Sequence, residues 1–245
     1  MRPLLAILGV VVFGGVAAFA SRAAPATSAA TDAARAVPAA TADPRNTARV
    51  DAEQERGRVP MDDGRASQRQ LLIVGLALPI DGAVVPGEAV ALPNAPRDYR
   101  GGQHEGIDFA AALGTPVRAV AAGTVVRVDR DFTDWDQETR EAALAEAQTL
   151  GDTPSRTLDR IRGRQVWIAH GRGVTSRYAH LAGVADLVVG QRVSAGTVIG
   201  TVGSSGYPGG GPHLHLEIRV GRSFLGDGLT GDALATPIRE TFAAP

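Results

Sequence analysis

Histidines and carboxylates carry most of the metal and proton chemistry available to this sequence. Cysteine is absent and all 25 basic residues are arginine. Thiolate nucleophiles, iron–sulfur clusters, cysteine zinc sites and lysine-dependent chemistry are therefore excluded. A transition metal would have to be held by His, Asp or Glu, donors that suit an open catalytic site better than a closed structural one. The five histidines are His104, His170, His180, His213 and His215.

Their spacing differs in what it permits. In HEGID, His104 and Asp108 stand four apart, roughly 13 Å in a straight strand and too far to share an ion. A bend at Gly106 would bring them together, and glycine permits such a bend. In PHLHLEI, residues two apart on a strand share a face, so His213 and His215 point one way while Leu214 and Leu216 point into the core. Taken alone, this pair is either half of a site or two polar residues on an open sheet face. Glu217 shares that face, where it either orients a histidine or pairs with an arginine. The same alternation puts Tyr178 and His180 of RYAHL on one face. His170 reads as a hydrogen-bonded histidine at a strand end, and Glu105, pointing away from its neighbours, receives no role.

The elements that must position these groups follow from composition along the chain. Residues 4–20 form an apolar run after a single arginine, ending in AFA. This is a signal peptide cleaved after Ala20 or a retained N-terminal membrane anchor, and either places the remainder outside the cytoplasm. Residues 21–69, rich in Ala, Pro, Thr and Arg without apolar periodicity, read as a disordered tether. From residue 70 onward, short β-branched runs alternate with Gly, Pro and Asp turns, which predicts an all-β core of sheets or a barrel within a single domain over 70–245. Helical periodicity over 134–150, with Ala143, Leu144, Ala147 and Leu150 in phase, predicts a helical insertion spanning about 132–162. GTPVRAVAAGTVVRV and GQRVSAGTVIGTVG resemble each other as two strand–turn–strand units. The glycine-rich GSSGYPGGGP, 203–212, reads either as a flexible connection or as a groove wall that a substrate backbone can approach closely. A formal net charge of -1 gives no pull towards nucleic acid.

Together, HEGIDF, VWIAHGRGVTSRYAHL, PHLHLEIRV and the two strand–turn–strand units resemble the lysostaphin/LytM family of zinc metalloendopeptidases over about residues 76–225. The resemblance implies a duplicated hybrid motif, a barrel-sandwich-like pair of antiparallel sheets, with the helical insertion as a departure. It implies Zn²⁺ held by His104, Asp108 and His215, with His180 and His213 as the catalytic pair. It also implies hydrolysis of peptide cross-bridges in bacterial peptidoglycan by a secreted or membrane-anchored monomer. Some relatives lack ligands and serve as non-catalytic cell-wall modules that activate a separate amidase; here every motif position is filled. A covering role for segment 76–100, with Asn94 at the metal, is a further expectation.

Overall fold

A computed structural model describes residues 73–242. The proposed signal or anchor and the tether lie outside the described residues. Among those described, no helix is long and apolar enough to cross a membrane.

Among the described residues, ten strands form two antiparallel sheets: β1 (Ile107–Ala110), β2 (Pro116–Arg118), β3 (Gly123–Val128), β4 (Val166–Gly171), β5 (Val174–Ala179), β6 (Leu181–Val184), β7 (Arg192–Val193), β8 (Val198–Val202), β9 (His213–Val220) and β10 (Ser223–Phe224). The larger sheet runs β1-β9-β5-β4-β3-β7, with β10 also on β9; the smaller runs β2-β8-β6. The two similar sequence units interlock reciprocally: β2 of the first pairs with β8 of the second, and β3 with β7. Each unit thus contributes one strand to each sheet, and the repeat in sequence becomes an internal pseudo-symmetry. The expected all-β core is what folds.

The core lies between the sheets and is filled by alternate residues of each strand. On β9, Leu214, Leu216 and Ile218 are buried there with Val117, Val125, Ile168 and Ile199. Burying side chains of this size contributes about 1.5–3 kcal/mol each. Tyr178 joins them at 0% exposure, its hydroxyl accepting from Val120 N at 2.8 Å and from Ser176 Oγ at 3.0 Å.

Between β3 and β4 the chain forms α1 (Gln137–Leu150) and α2 (Ser155–Arg162). Asp136 caps α1 by accepting from Thr139 N at 2.8 Å, and Gly151, left-handed at φ 67°, ends it. Of the apolar residues in phase on α1, Ala147 is fully buried but Leu150 is 62% exposed, because the helix ends there and the chain turns away. The second helix was not legible as one, since α2 (SRTLDRIR) carries only two apolar side chains, Leu158 and Ile161. Its last residue, Arg162, lies against the outer, polar face of β9, where its Nε donates to Glu217 Oε1. That face is accordingly not open: Glu217 is 1% and His215 8% exposed. A third helix, α3 (Gly231–Thr241), was also missed, its pattern obscured by Gly231 and the internal Pro237; it buries Leu234 and Ile238 in the core.

The glycine-rich segment is anchored to this helical pair. Gly206, at φ 76°, lies so close to the carbonyls of Arg160 and Ile161 that a Cβ would overlap both. Trp135 Nε1 donates to Gly206 O at 3.1 Å from the other end of the insertion. Gly206→Ala therefore combines a strained left-handed φ with a backbone collision. It is expected to destabilise the domain by about 2 kcal/mol or more in chemical denaturation; a midpoint unchanged from wild type would show that the clasp between insertion and loop is loose.

Candidate metal centre and groove

The antiparallel register of β1 and β9 sets Asp108 directly opposite His215. Facing residues in such a pair have Cβ atoms about 4.5–5.5 Å apart, close enough for two side chains to meet at one point. His104 precedes β1, and the chain bends at Gly106 to bring it back over Asp108. Gly106 also meets a spatial need, since a Cβ there would crowd the His215 ring and Leu216 O. His104 Nε2, Asp108 Oδ1 and His215 Nδ1 end 2.9–3.0 Å from one another.

The far side of each ring explains what those three atoms can bind. His104 Nδ1 donates to Leu92 O at 2.9 Å, and His215 Nε2 donates to Glu217 Oε1 at 3.3 Å. With those N–H groups committed, the nitrogens that meet at Asp108 present lone pairs. Two lone pairs and a carboxylate oxygen converging in a largely buried place require positive charge between them. Protonation behaviour agrees. Burial acts against a charged His215, but Asp108 and Glu217 outweigh it and raise its pKa to about 9, so a proton readily takes the Nδ1 lone pair and supplies that positive charge. Burial also acts to raise Asp108, yet the neighbouring His104 and His215 hold its carboxyl well below the usual range. His104, dominated by burial, is lowered. Among the described residues, His104, Asp108 and His215 are the one group of His and acidic donors close enough together to hold a metal ion.

Beyond the ligand candidates, Glu217 is gripped by arginines. Its Oε1 accepts from Arg162 Nε at 2.6 Å, and its Oε2 from Arg219 Nη1 at 3.4 Å and Arg177 Nη1 at 3.5 Å. Burial would raise its pKa, but Arg162 and His215 hold it well below the usual range. Both sequence readings of Glu217 are thus realised at once: it orients His215 and pairs with arginine. Glu105, given no role from sequence, accepts from Arg162 at 2.7 Å and Arg219 at 2.9 Å. On the opposite side, Arg97 Nη2 donates to Asp108 Oδ2 at 3.3 Å.

His180 and His213 complete the site. Strand alternation would put His180 on the core face with Tyr178, and here the sequence reading is corrected. β5 ends at Ala179, and His180 adopts φ 60°, which turns its ring away from Tyr178 and into the groove. The strained conformation is secured by His180 N donating to Arg162 O at 2.8 Å and His180 Nδ1 donating to Ser205 O at 2.9 Å. Its ring lies 4.7 Å from that of His213 and 5.7 Å from that of His215, centroid to centroid. Burial, with His213 and His215 nearby, lowers its pKa to about 3, so the ring is neutral at neutral pH. His213 Nδ1 donates to Gly211 O at 2.9 Å. Both rings therefore keep Nε2 available to the groove.

These groups line a cavity of about 540 Å³ whose other walls include Arg97, Tyr99, Arg100, Tyr207 and Gly210. The glycine-rich segment is thus a groove wall, with Tyr207 stacked on Tyr99 at 5.0 Å. Asn94 is not at the site: its amide donates to Gly226 O at 2.6 Å and Leu229 O at 2.9 Å, tying segment 76–100 to the loop before α3. His170 also stands apart, bonded to Ala122 O at 2.9 Å and Ser176 Oγ at 2.7 Å. The contributions of Arg97, Arg100, Arg162 and Tyr207 were invisible in sequence, where nothing distinguishes one arginine from the other 24.

A model of peptidase family M23 matches residues 102–226. The glycyl-glycine endopeptidase ALE-1 of Staphylococcus capitis is 32% identical over 130 residues, 53% of this chain and 28% of that protein. The DD-carboxypeptidase/endopeptidase Mpg of Neisseria meningitidis is 35% identical over 117 residues, 48% of this chain and 20% of that protein. The chain thus spans less than a third of the length of these relatives. Among solved structures, the catalytic domain of the antimicrobial peptidase lysostaphin from Staphylococcus simulans aligns with a TM-score of 0.39 and 26% identity, over 55% of this chain and 83% of that one.

Glu217→Gln removes the carboxylate that fixes the orientation of His215. Divalent-metal affinity, measured by competition with a chromogenic chelator, is expected to fall by about tenfold or more. An affinity equal to wild type would refute the orienting role.

Proposed function

This chain belongs to peptidase family M23, and from that premise we propose that it is an extracytoplasmic zinc metalloendopeptidase acting on peptidoglycan peptides. The observation that carries the reading is the convergence of two imidazole lone pairs and one carboxylate oxygen, 2.9–3.0 Å apart, beside two further histidines in a groove. The proposed ligands are His104, Asp108 and His215, and the proposed catalytic pair is His180 and His213. Zinc fits the donor chemistry: neutral imidazole and carboxylate are its usual ligands outside cysteine sites. Tetrahedral bonds of about 2.0–2.1 Å separate donors by roughly 3.3 Å, within a few tenths of the spacing found. Two relatives named as endopeptidases support a peptide bond as the target.

When bound, zinc would supply Lewis acidity to a peptide carbonyl and to water at an open coordination position. The chain's own residues supply the rest. Hydrolysis must move one proton from water to the departing amine nitrogen. His180 and His213, each anchored through Nδ1 to a backbone carbonyl, hold Nε2 where a proton can be taken up and passed on. A proton on buried His180 is readily released, because its neutral form is strongly favoured there. Arg97 and Glu217 do not meet the substrate in this scheme; they hold Asp108 and His215 in place.

The decisive experiment offers purified peptidoglycan to the zinc-loaded protein and identifies released fragments by mass spectrometry. New amine and carboxyl termini at one defined peptide bond are expected. Their absence, with zinc bound, would favour a non-catalytic cell-wall module that activates a separate amidase. His180→Ala should retain about one zinc per chain yet lose about 100-fold or more in turnover; retained turnover would remove His180 from the catalytic pair.

A further inference from the structure

We infer that Arg100 forms a subsite in the groove for a carboxylate of the peptide substrate; this deepens, and rests on, the proposed peptidase reading. Three arginines are buried among the described residues: Arg97, Arg100 and Arg162. Arg97 meets Asp108, and Arg162 meets Glu105 and Glu217. Arg100, only 5% exposed, meets no carboxylate. Its Nη1 donates to Thr153 Oγ1 at 2.6 Å and Gly101 O at 3.2 Å, and its Nη2 to Gln103 O at 3.0 Å, while Nε has no partner. A full positive charge is therefore desolvated against neutral dipoles and the Tyr99 ring, whose centroid lies 5.9 Å from Cζ. Such a charge is unfavourable unless an anion joins it. The same carbonyls and hydroxyl hold the guanidinium plane in one orientation, so a partner meets a preorganised donor set.

The place of Arg100 says where that anion comes from. It stands, with Pro96 and Leu158, in the partition shared by the cavity containing the candidate metal centre and a neighbouring cavity of about 590 Å³. The acids nearby do not serve it. Asp108 is engaged by His104, His215 and Arg97, and Glu105 by Arg162 and Arg219. Asp98 and Asp152 line these walls but are exposed and form no ion pair with Arg100. A peptide lying in the groove can thus bring its own carboxylate to Arg100, whereas a neutral glycine bridge has none to bring. The carboxylate belongs either to the C-terminus of a stem peptide or to a dicarboxylic diamino acid within it.

The test uses zinc-loaded protein and uncleavable cross-linked stem peptides in three forms: both carboxylates free, C-terminal amide, and diamino-acid carboxamide. Amidating the carboxylate that Arg100 reads is expected to weaken binding by about tenfold or more. The amide position that does so identifies the source. Arg100→Gln should lose the same factor for the free acid and become indifferent to amidation, while Arg100→Lys retains part of the preference. Amidation changing wild-type affinity by less than about twofold at both positions overturns the subsite, as does an Arg100→Gln variant that keeps the preference. Should Arg100→Gln fail to fold, the wild-type amidation series decides alone. A cleavable peptide separates the two readings. Carboxylate-dependent binding without cleavage overturns the peptidase and leaves the subsite; cleavage indifferent to amidation does the reverse.

Discussion

The register between β1 and β9 is the constraint on which the site depends. Pairing Asp108 with His215 and Ala110 with His213 places the carboxylate beside the histidine face of β9. A slip of one residue would turn Asp108 towards the core and Ile107 or Phe109 towards the histidines. Burial of Ile107 and Phe109 opposes that slip, because both would leave the core. The same apolar residues that stabilise the sandwich thus keep the candidate ligands together. On the other side of β9, Ala179 faces His215, and this small residue immediately precedes the turn that sends His180 into the groove.

A polar sheet face normally meets water, but here Arg162, Arg177 and Arg219 close over Glu217. Arg162, at the end of α2, serves two histidines at once. Its guanidinium holds Glu217, which orients His215, and its carbonyl accepts from His180 N. The helical segment between β3 and β4 is in this way part of the site's framework rather than decoration. Holding five charged groups, Glu105, Glu217, Arg162, Arg177 and Arg219, wholly or partly out of water favours stability only when each is well partnered. Arg177 stacks on Trp167 at 3.8 Å, which compensates part of its desolvation. Arg100 stands outside that network, and its lack of an acidic partner is what sets it apart.

Legibility varied with the range of the interactions involved. The strand character of PHLHLEI, with leucines inward and histidines outward, was readable because a period of two is a local property. The bend at Gly106 was readable for a similar reason. Strand alternation fails between Tyr178 and His180, because the positive φ at His180 depends on Arg162 and Ser205, contacts 18 and 25 residues away in sequence. Proximity in sequence misleads at Asn94, whose amide is used 132 residues away at Gly226.

The sequence by itself determined which chemistry was available: histidine and carboxylate donors without cysteine or lysine, on alternating strands that must bury one face. It also carried the repeated strand–turn–strand unit from which the interlocked sheets are built. Tertiary structure alone decided which donors meet, since Asp108 and His215 are 107 positions apart and only strand register joins them. It decided likewise which arginines are neutralised and which, at Arg100, is left buried without an acid. Side-chain type and local period are written residue by residue, but proximity, burial and charge compensation are properties of the packed whole.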